Sequence, residues 1–431
     1  YSISLAIDTF LSNVYEKYTN DRYTYINGST TGGLAIYDND TFATSNHATD
    51  PIHGLNVNAY DLVRLHLYGS SENSNAKMKE LISKDKRCMA EQFASSRKIN
   101  NKSNVNWFAD LVFSKNGEIL PLYDNYHIIF ENDPILKGLG RYNQFTQRYI
   151  RNNNLPWKSK DNIDDFTEQD EQKVLEYLER TYGLSSNIQK IRSTMISHLD
   201  DQSFHPIKDY FNSLPKWDGV ARVETIFCEL FGVSDDEYTR DITKRHFLAS
   251  VKRIFEPGCK YDYALVIFGE EGIGKSMFFE KLAHNIRWFS GDVGDISKKE
   301  AKDNLEGVWI VELAELSSIK KADPETVKAF LSARYDNYRK AYGKNKREYP
   351  RVCTFWGSTN EHDFLRSRDG NRKFLILEAS KKRMRRHSGT LSSADIDQLW
   401  SEVYYWYLND KNAVNNINYI PPEIESQAKK H

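Results

Sequence analysis

One stretch constrains this chain more than any other: YDYALVIFGEEGIGKSMFFE, residues 261–280. The run Ala264-Leu265-Val266-Ile267-Phe268 is short, apolar, and rich in β-branched and aromatic side chains, which predicts a buried strand. Gly269-Glu270-Glu271-Gly272-Ile273-Gly274-Lys275-Ser276 follows and matches G-x-x-x-x-G-K-[ST]. Met277, Phe278 and Leu282 then predict a helix with these three on one side. Between a strand and a helix, such glycines let successive N–H groups converge on phosphate oxygens. The helix N-terminus adds positive potential, the lysine reaches β/γ-phosphates, and the hydroxyl suits Mg²⁺. Gly269 to Met277 is therefore the expected ATP-binding segment, with Lys275 acting on the phosphates and Ser276 on the metal.

At 431 residues, the chain is long enough for about three domains at roughly 150 residues each. A net charge of −1 means that any nucleic-acid affinity must come from local patches. Mean hydropathy is −0.67 with 28% charged residues, no run reaches membrane-spanning length, and no signal peptide is evident. A cytoplasmic protein with no membrane partner is expected. Cys88, Cys228, Cys259 and Cys353 are far apart, so neither a cysteine-rich zinc site nor a disulfide framework is expected. Tyr1 already lies within a helix pattern, so a longer parent protein is expected.

Along the chain, Ile3, Ile7, Phe10, Leu11, Val14 and Tyr18 predict an amphipathic helix over residues 1–18. Residues 28–70 read as short strands, with Asp38-Asn39-Asp40 as a hairpin turn and a helix starting near Asn58. Asp38, Asp40 and His47 invite a metal- and nucleotide-binding reading. Too few residues separate the pair from the histidine, and a turn is the commoner use of such aspartates. Residues 100–104 read as a linker, with strands at 107–113 and 118–122 joined across Asn116-Gly117. A helix over Thr167–Tyr182 carries its own cap in Thr167 and Asp170, and Gly183 ends it. Residues 205–258 are mostly helical, with Phe247, Val251, Ile254 and Phe255 as a core stripe.

Two further strand candidates end in chemistry. Gly307–Leu313 leads to Glu312 and Glu315, and Val352–Trp356 leads to Gly357-Ser358-Thr359-Asn360. ATPases of the phosphate-loop kind need one carboxylate for Mg²⁺ and one for the attacking water. Glu312 is assigned to the metal and Glu315 to the water, although the two roles are exchangeable. Asn360 is the candidate contact for the γ-phosphate and water. Arg366, Arg368 and Arg372 precede the next strand and are the arginine-finger candidates, with Arg372 named first and Arg366 and Arg368 as its alternatives. Residues 333–351 pack Arg334, Arg339, Lys340, Lys344, Lys346, Arg347 and Arg351 among four tyrosines, opposed by Asp336 and Glu348. Basic groups interleaved with rings suit single-stranded nucleic acid, so Tyr342, Lys344, Lys346 and Arg347 become DNA candidates at a hairpin tip.

The series NGEILPLYDNYHIIFENDP (116–134), HPIKDYFNSLPKWDG (205–219), GEEGIGKS (269–276), VELAEL (311–316), STN (358–360) and DGNRKF (369–374) resembles the virulence-associated protein E family. These are primase-helicase-type ATPases of phages and mobile islands, related to superfamily-three helicases within the AAA+ class. The resemblance implies a multidomain α+β N-terminal region followed by an α/β P-loop ATPase. Residues 1–100 resemble a primase zinc-ribbon module without its cysteines, so no zinc is expected there. Residues 101–204 form an α+β linker domain, 205–258 a helical collar-like domain, 259–380 the ATPase core and 381–431 a C-terminal helical segment. The resemblance also implies a hexameric ring with nucleotide at subunit interfaces and a basic hairpin in the pore. Single-stranded or forked DNA is the implied partner, the bacterial host cytoplasm the location, and a polymerase domain upstream of Tyr1 a further possibility. The expected function is an ATP-dependent DNA helicase module. Its rival is a non-translocating, oligomeric DNA-binding ATPase that loads or switches other replication proteins. A small-molecule phosphotransferase is disfavoured by the basic-aromatic insertion.

Overall fold

A computed structural model of the chain describes residues 1–97, 105–158, 164–185, 187–316, 319, 322–338, 347–360 and 373–427. The linker expected at 100–104 lies outside them. Contacts divide the chain into two units, residues 1–139 with 152–198, and residues 140–151 with 199–431.

In the first unit, helix α1 (Ile3–Phe10) starts at Ser2, whose hydroxyl accepts the Leu5 N–H. The apolar spacing predicts a helix reaching residue 18, yet Tyr15–Lys17 is strand β1. Ser and Asn, here Ser12 and Asn13, are poor residues for continuing a helix because their short polar side chains favour turns. Beyond them Tyr15 is buried opposite Tyr25, while Tyr18 is 60% exposed. An antiparallel sheet follows, ordered β1, β2 (Arg22–Tyr25), β3 (Leu34–Tyr37), β4 (Phe42–Ser45) and β5 (Val57–Asn58).

Asp38, Asn39 and Asp40 do form the turn between β3 and β4, at φ values of 53°, 52° and 65°. Asp and Asn tolerate this left-handed region better than most residues. Asp40 Oδ1 accepts hydrogen bonds from the Ser4 N–H (2.9 Å) and hydroxyl (3.0 Å), so this acid is occupied at the start of α1. His47 is buried with its ring nitrogens against the Thr30 hydroxyl (2.9 Å) and the Tyr25 N–H (3.4 Å). Helix α2 (Ala59–Tyr68) begins where expected, because the Asn58 side chain accepts the Asp61 N–H.

Helices α3 (Ser74–Ile82), α4 (Lys86–Ser96), α5 (Tyr123–Asn132), α6 (Glu168–Tyr182) and α7 (Ile188–Asp201) complete the order. The strand expected over 107–113 is instead a 3₁₀ turn, Val105–Asp110. Its adjacent rings Trp107 and Phe108 stack at 4.2 Å and both approach Tyr182, which defeats the alternation of a strand. The Asn116-Gly117 turn closes with a single bridge, Phe113 to Ile119. Helix α6 has the expected capping box between Thr167 and Asp170, and Gly183 ends it in the left-handed region.

The second unit opens with the hairpin β6 (Gly140–Asn143) and β7 (Arg148–Arg151), then α8 (Pro206–Ser213), α9 (Ile226–Phe231) and α10 (Glu237–Phe255). Next come β8 (Ala264–Phe268), α11 (Lys275–Leu282), β9 (Phe289–Ser290), β10 (Ile310–Ala314) and the helix Pro324–Ser332. The hairpin β11 (Tyr335–Tyr338) and β12 (Arg347–Pro350) precedes β13 (Thr354–Thr359), β14 (Phe374–Glu378) and the helix Ser393–Asn409.

Five of these strands form one sheet in the order β14-β8-β13-β10-β9, and its pairings are parallel. Leu265 and Ile267 enter one buried cluster with Trp356 and Trp309, while Ala264 and Val266 enter another with Phe355 and Phe330. Both faces of β8 are thus covered, which is why its sequence is continuously apolar rather than alternating. Helix α10 lies inside the first cluster. Phe247, Val251 and Ile254 are fully buried, as the stripe predicts, and Phe255 is partly buried. Ser250 bonds Thr354 (2.8 Å) and its carbonyl accepts from the Trp309 indole (2.9 Å). Arg253 donates to the Cys353 and Tyr261 carbonyls, both at 2.6 Å.

His246, also on α10, has no access to water and contacts the Tyr261 hydroxyl at 2.8 Å. Burial first, and the Arg253 charge second, push this imidazole down to about 3. An unfolded histidine titrates near 6.5, so between these values the unfolded chain binds a proton that the native one refuses. The contribution is whole above the unfolded value and declines as pH falls toward the folded one. Burial pushes His205 the same way, to about 4. Urea unfolding is expected to show lower stability at about pH 5 than at about pH 7, and His246→Gln to reduce that slope. An unchanged slope in the variant would assign the effect to other groups.

Candidate nucleotide-binding site

Parallel pairing brings the carboxyl ends of β8, β10 and β13 to one edge of the sheet. Ile267 and Phe268 lie opposite Ser358 and Thr359, and Glu312 lies opposite Trp356. The glycine loop leaving β8, the acid of β10 and the Ser358–Asn360 end of β13 therefore meet. Gly272 and Gly274 take φ values of 74° and 86°, and Gly274 immediately precedes α11. Those dihedrals need glycine, and they turn the chain sharply into the helix.

Lys275 is the first residue of α11 and is 8% exposed. Its ammonium donates to the Gly269 (2.6 Å), Thr359 (3.2 Å) and Glu270 (3.3 Å) carbonyls. Burial draws it below the ordinary lysine range, against the opposing pull of Glu315, Glu312 and Glu271. One position further on, the Ser276 hydroxyl donates to Glu312 Oε1 at 2.7 Å. The Ser358 hydroxyl donates to the same oxygen at 2.6 Å. Glu312 is only 3% exposed, so these bonds stand in for lost hydration.

Glu315 follows β10 at φ 50° and is exposed, and Asn360 donates to Glu271 Oε1 at 3.0 Å on the rim of the loop. The structure thus brings Gly269–Met277, Glu312, Glu315 and Asn360 together. Met277 differs from expectation. It is 44% exposed, and Phe278, Phe279 and Leu282 are the residues that turn inward. Those three occupy one face of the helix, and Met277 falls about 100° away from it.

Ser358 was not singled out from sequence, although the alternation of a strand carries the signal. Residues 358 and 360 share a side, so a role for Asn360 implies proximity for Ser358. The turn at His387–Gly389 was missed for want of any signal. The Ser388 hydroxyl donates to the Gly274 carbonyl at 2.8 Å, from the far end of the unit.

Ser276 and Glu312 offer hard oxygen donors at hydrogen-bond separation, a chemistry that fits Mg²⁺. Among the described residues no group of three or more His, Cys, Asp or Glu is placed to hold a metal ion. Mg²⁺ would then rely on Ser276, Glu312 and phosphate oxygens, as this ion commonly does.

Tyr342, Lys344 and Lys346 lie outside the described residues, as do Arg366, Arg368 and Arg372. The arms that carry the first three do form a hairpin, with Tyr335 opposite Pro350 and Tyr338 opposite Arg347. Arg351 was counted with the basic run, but it is buried in a two-pronged pair with Asp336 at 2.6 and 2.8 Å. Its guanidinium also lies over the Phe330 and Phe355 rings. A cavity of about 210 Å³ at the amino ends of the strands is lined by this same pair, together with His205 and Cys353.

A five-stranded parallel sheet with a glycine loop, a buried lysine and a buried acid at its carboxyl edge places the second unit in the α/β class. Within that class the chain belongs to the virulence-associated protein E-like family, whose domain matches residues 211–431. No curated protein matches it. The chain is similar to a solved apo structure of the NrS-1 C-terminal region (305–718), at 15% identity and a TM-score of 0.40 over 68% of this chain and 72% of that one. An A-form apo structure of that region is similar at 14% identity and 0.40, over 67% and 70%. Among the described residues no helix is long and apolar enough to cross a membrane.

The two glycines of the loop separate strain from space. A Cβ on Gly272 meets nothing within 4 Å, whereas one on Gly274 lands 2.1 Å from Ser388 Oγ. Gly272→Ala is expected to cost about 1 kcal/mol through its dihedral alone. Gly274→Ala should cost roughly 1–3 kcal/mol more, because Ser388 must leave the Gly274 carbonyl. Thermal melts of the two variants measure the difference.

Proposed function

We propose that the chain is an ATP-dependent DNA helicase module of a phage or mobile-element replication protein, built on an AAA+, superfamily-three-like P-loop ATPase core. The observation that carries the reading is the convergence of Ser276 and Ser358 on the buried Glu312, beside a lysine held at the mouth of a glycine loop. In this reading ATP lies along Gly269–Met277, with the loop N–H groups and Lys275 on its β- and γ-phosphates. Bound Mg²⁺ would neutralise charge on those phosphates, held by Ser276 and Glu312. The Ser276–Glu312 bond supports giving Glu312 to the metal. Exposed Glu315, past the strand end, is left to orient the attacking water, and Asn360 to contact the γ-phosphate. An arginine finger from a neighbouring subunit, Arg372 in this proposal, would complete the site in a hexameric ring. The β11–β12 hairpin would carry Tyr342, Lys344, Lys346 and Arg347 to single-stranded DNA in the pore.

Lys275→Ala is expected to abolish ATP hydrolysis in protein that still melts cooperatively; wild-type turnover in that variant would remove the reading. Replacing Lys344 and Lys346 together with alanine should leave basal hydrolysis intact and stop the displacement of a strand from forked DNA. If the wild type itself hydrolyses ATP but displaces no strand, the chain is a non-translocating ATPase instead.

A further inference from the structure

Around the start of α11 four residues face three directions. Lys275 turns to the end of β13 through the Thr359 carbonyl, and Ser276 turns to Glu312 at the end of β10. Gly274, the left-handed residue just before the helix, and Met277 in its first turn both face a third element, the segment 380–391. A Cβ on Gly274 would lie 3.1 Å from His387 Nε2, and one on Gly389 would lie 3.5 Å from Met277 Sδ.

That segment is fixed by many bonds. The Ser380 N–H donates to the Phe231 carbonyl, and the Arg385 and Arg386 N–H groups donate to the Glu229 carbonyl. Arg386 pairs with Asp395 at 2.8 Å. Lys281, on α11 itself, donates to the Gly389 (3.0 Å) and Leu391 (2.6 Å) carbonyls, and Ser388 reaches the Gly274 carbonyl. Helix and segment therefore form one framework around the loop.

The imidazole at its tip is oriented as well. The Gly389 N–H donates to His387 Nδ1 at 3.0 Å, which leaves the proton of the neutral ring on Nε2. Nε2–H is thus a donor beside Gly274, on an exposed ring next to an exposed methionine. Ser276 and Glu312, the proposed metal and γ-phosphate side, lie on another side of the same helix start. A triphosphate whose γ end lies there must direct its nucleoside end away from them.

We infer that His387 is a nucleotide-binding residue on the nucleoside side of the site, with Nε2–H donating to a ribose oxygen and Met277 lining the path of the base. The inference rests on the ATP reading above and adds a part that the loop motif does not contain. It makes the site selective for a nucleoside triphosphate over a bare polyphosphate chain. Ser388 and Lys281 position the imidazole and touch no ligand.

The test compares two ligands on full-length wild type, His387→Ala and His387→Gln, by calorimetry in Mg²⁺. One ligand is ATP in a non-hydrolysable form, and the other is inorganic tripolyphosphate, which has no nucleoside. His387→Ala should weaken the nucleotide about tenfold, the upper end of what one neutral hydrogen bond contributes, and change tripolyphosphate less than twofold. His387→Gln, whose amide can place an N–H where Nε2–H stood, should recover most of the loss. Far-UV melts confirm that each variant is folded. Equal nucleotide affinity in His387→Ala and wild type overturns the inference, as does an equal loss for both ligands, which would show His387 acting on the loop alone. If wild type binds neither ligand, the ATP reading itself fails.

Discussion

A carboxylate taken out of water needs donors, and Glu312 finds two hydroxyls from two different elements. Ser276 comes from the helix that follows β8, and Ser358 from the end of β13. That arrangement is possible only because β8, β10 and β13 run parallel and end at one edge. A register slip of one residue would turn Glu312 to the opposite face, into the apolar cluster that holds Val311 and Leu313 and away from the Ser276 and Ser358 hydroxyls. The apolar strands, the handed loop at Gly272 and Gly274, and the acid are thus one constraint. The core fixes the register, and the register fixes the site. Removing Glu312 would leave two hydroxyls short of an acceptor, so its role in folding and its proposed role with metal cannot be separated by deletion alone.

What could be read from the residues follows from how local each determinant is. The strand Ala264–Phe268, the loop, the capped helix over Glu168–Tyr182 and the turn at Asp38–Asp40 are set by neighbours in sequence, and each was legible. Helix α1 was over-extended because Leu11, Val14 and Tyr18 keep a helical spacing, whereas the partner of Tyr15 is Tyr25 across a ladder. The 3₁₀ turn at Val105–Asp110 was missed because stacking of Trp107 on Phe108 and contact with Tyr182 decide it. In the candidate site, Lys275, Ser276, Glu312 and Asn360 could be named from motif and strand ends. His387 and Ser388 could not, since nothing near them in sequence refers to Gly274.

Charge in the hairpin shows a related limit. Counting Lys and Arg between residues 333 and 351 treats each as available to a phosphate, but the fold has already engaged some of them. Arg351 is locked to Asp336 beneath the Phe330 carbonyl, at the base of β12, and Arg334 donates to the Gly258 carbonyl at 2.7 Å. Breaking the Asp336–Arg351 pair on one side would strand a buried charge, a change more costly than the pair's own net worth. Arg334 and Arg351 therefore hold the arms of the hairpin against the unit. Net charge in a segment overstates its electrostatic reach wherever part of that charge is already neutralised in the fold.

Lys275 carries the same idea into the proposed chemistry. Its three carbonyl partners satisfy all three ammonium donors, so a phosphate can take this lysine only by replacing bonds that already exist. The exchange would be favourable because a phosphate carries full negative charge, whereas a carbonyl offers only a dipole, and Lys275 is largely shielded from water. Burial lowers the affinity of Lys275 for its proton, and Glu315, Glu312 and Glu271 oppose that loss. The carboxylates thus help to keep the lysine cationic in a setting that disfavours charge, and they also repel an incoming triphosphate. Mg²⁺ beside Ser276 and Glu312 would relieve that repulsion. On this argument metal and nucleotide would bind the loop together far more strongly than either alone, with Glu312 as the group that couples them.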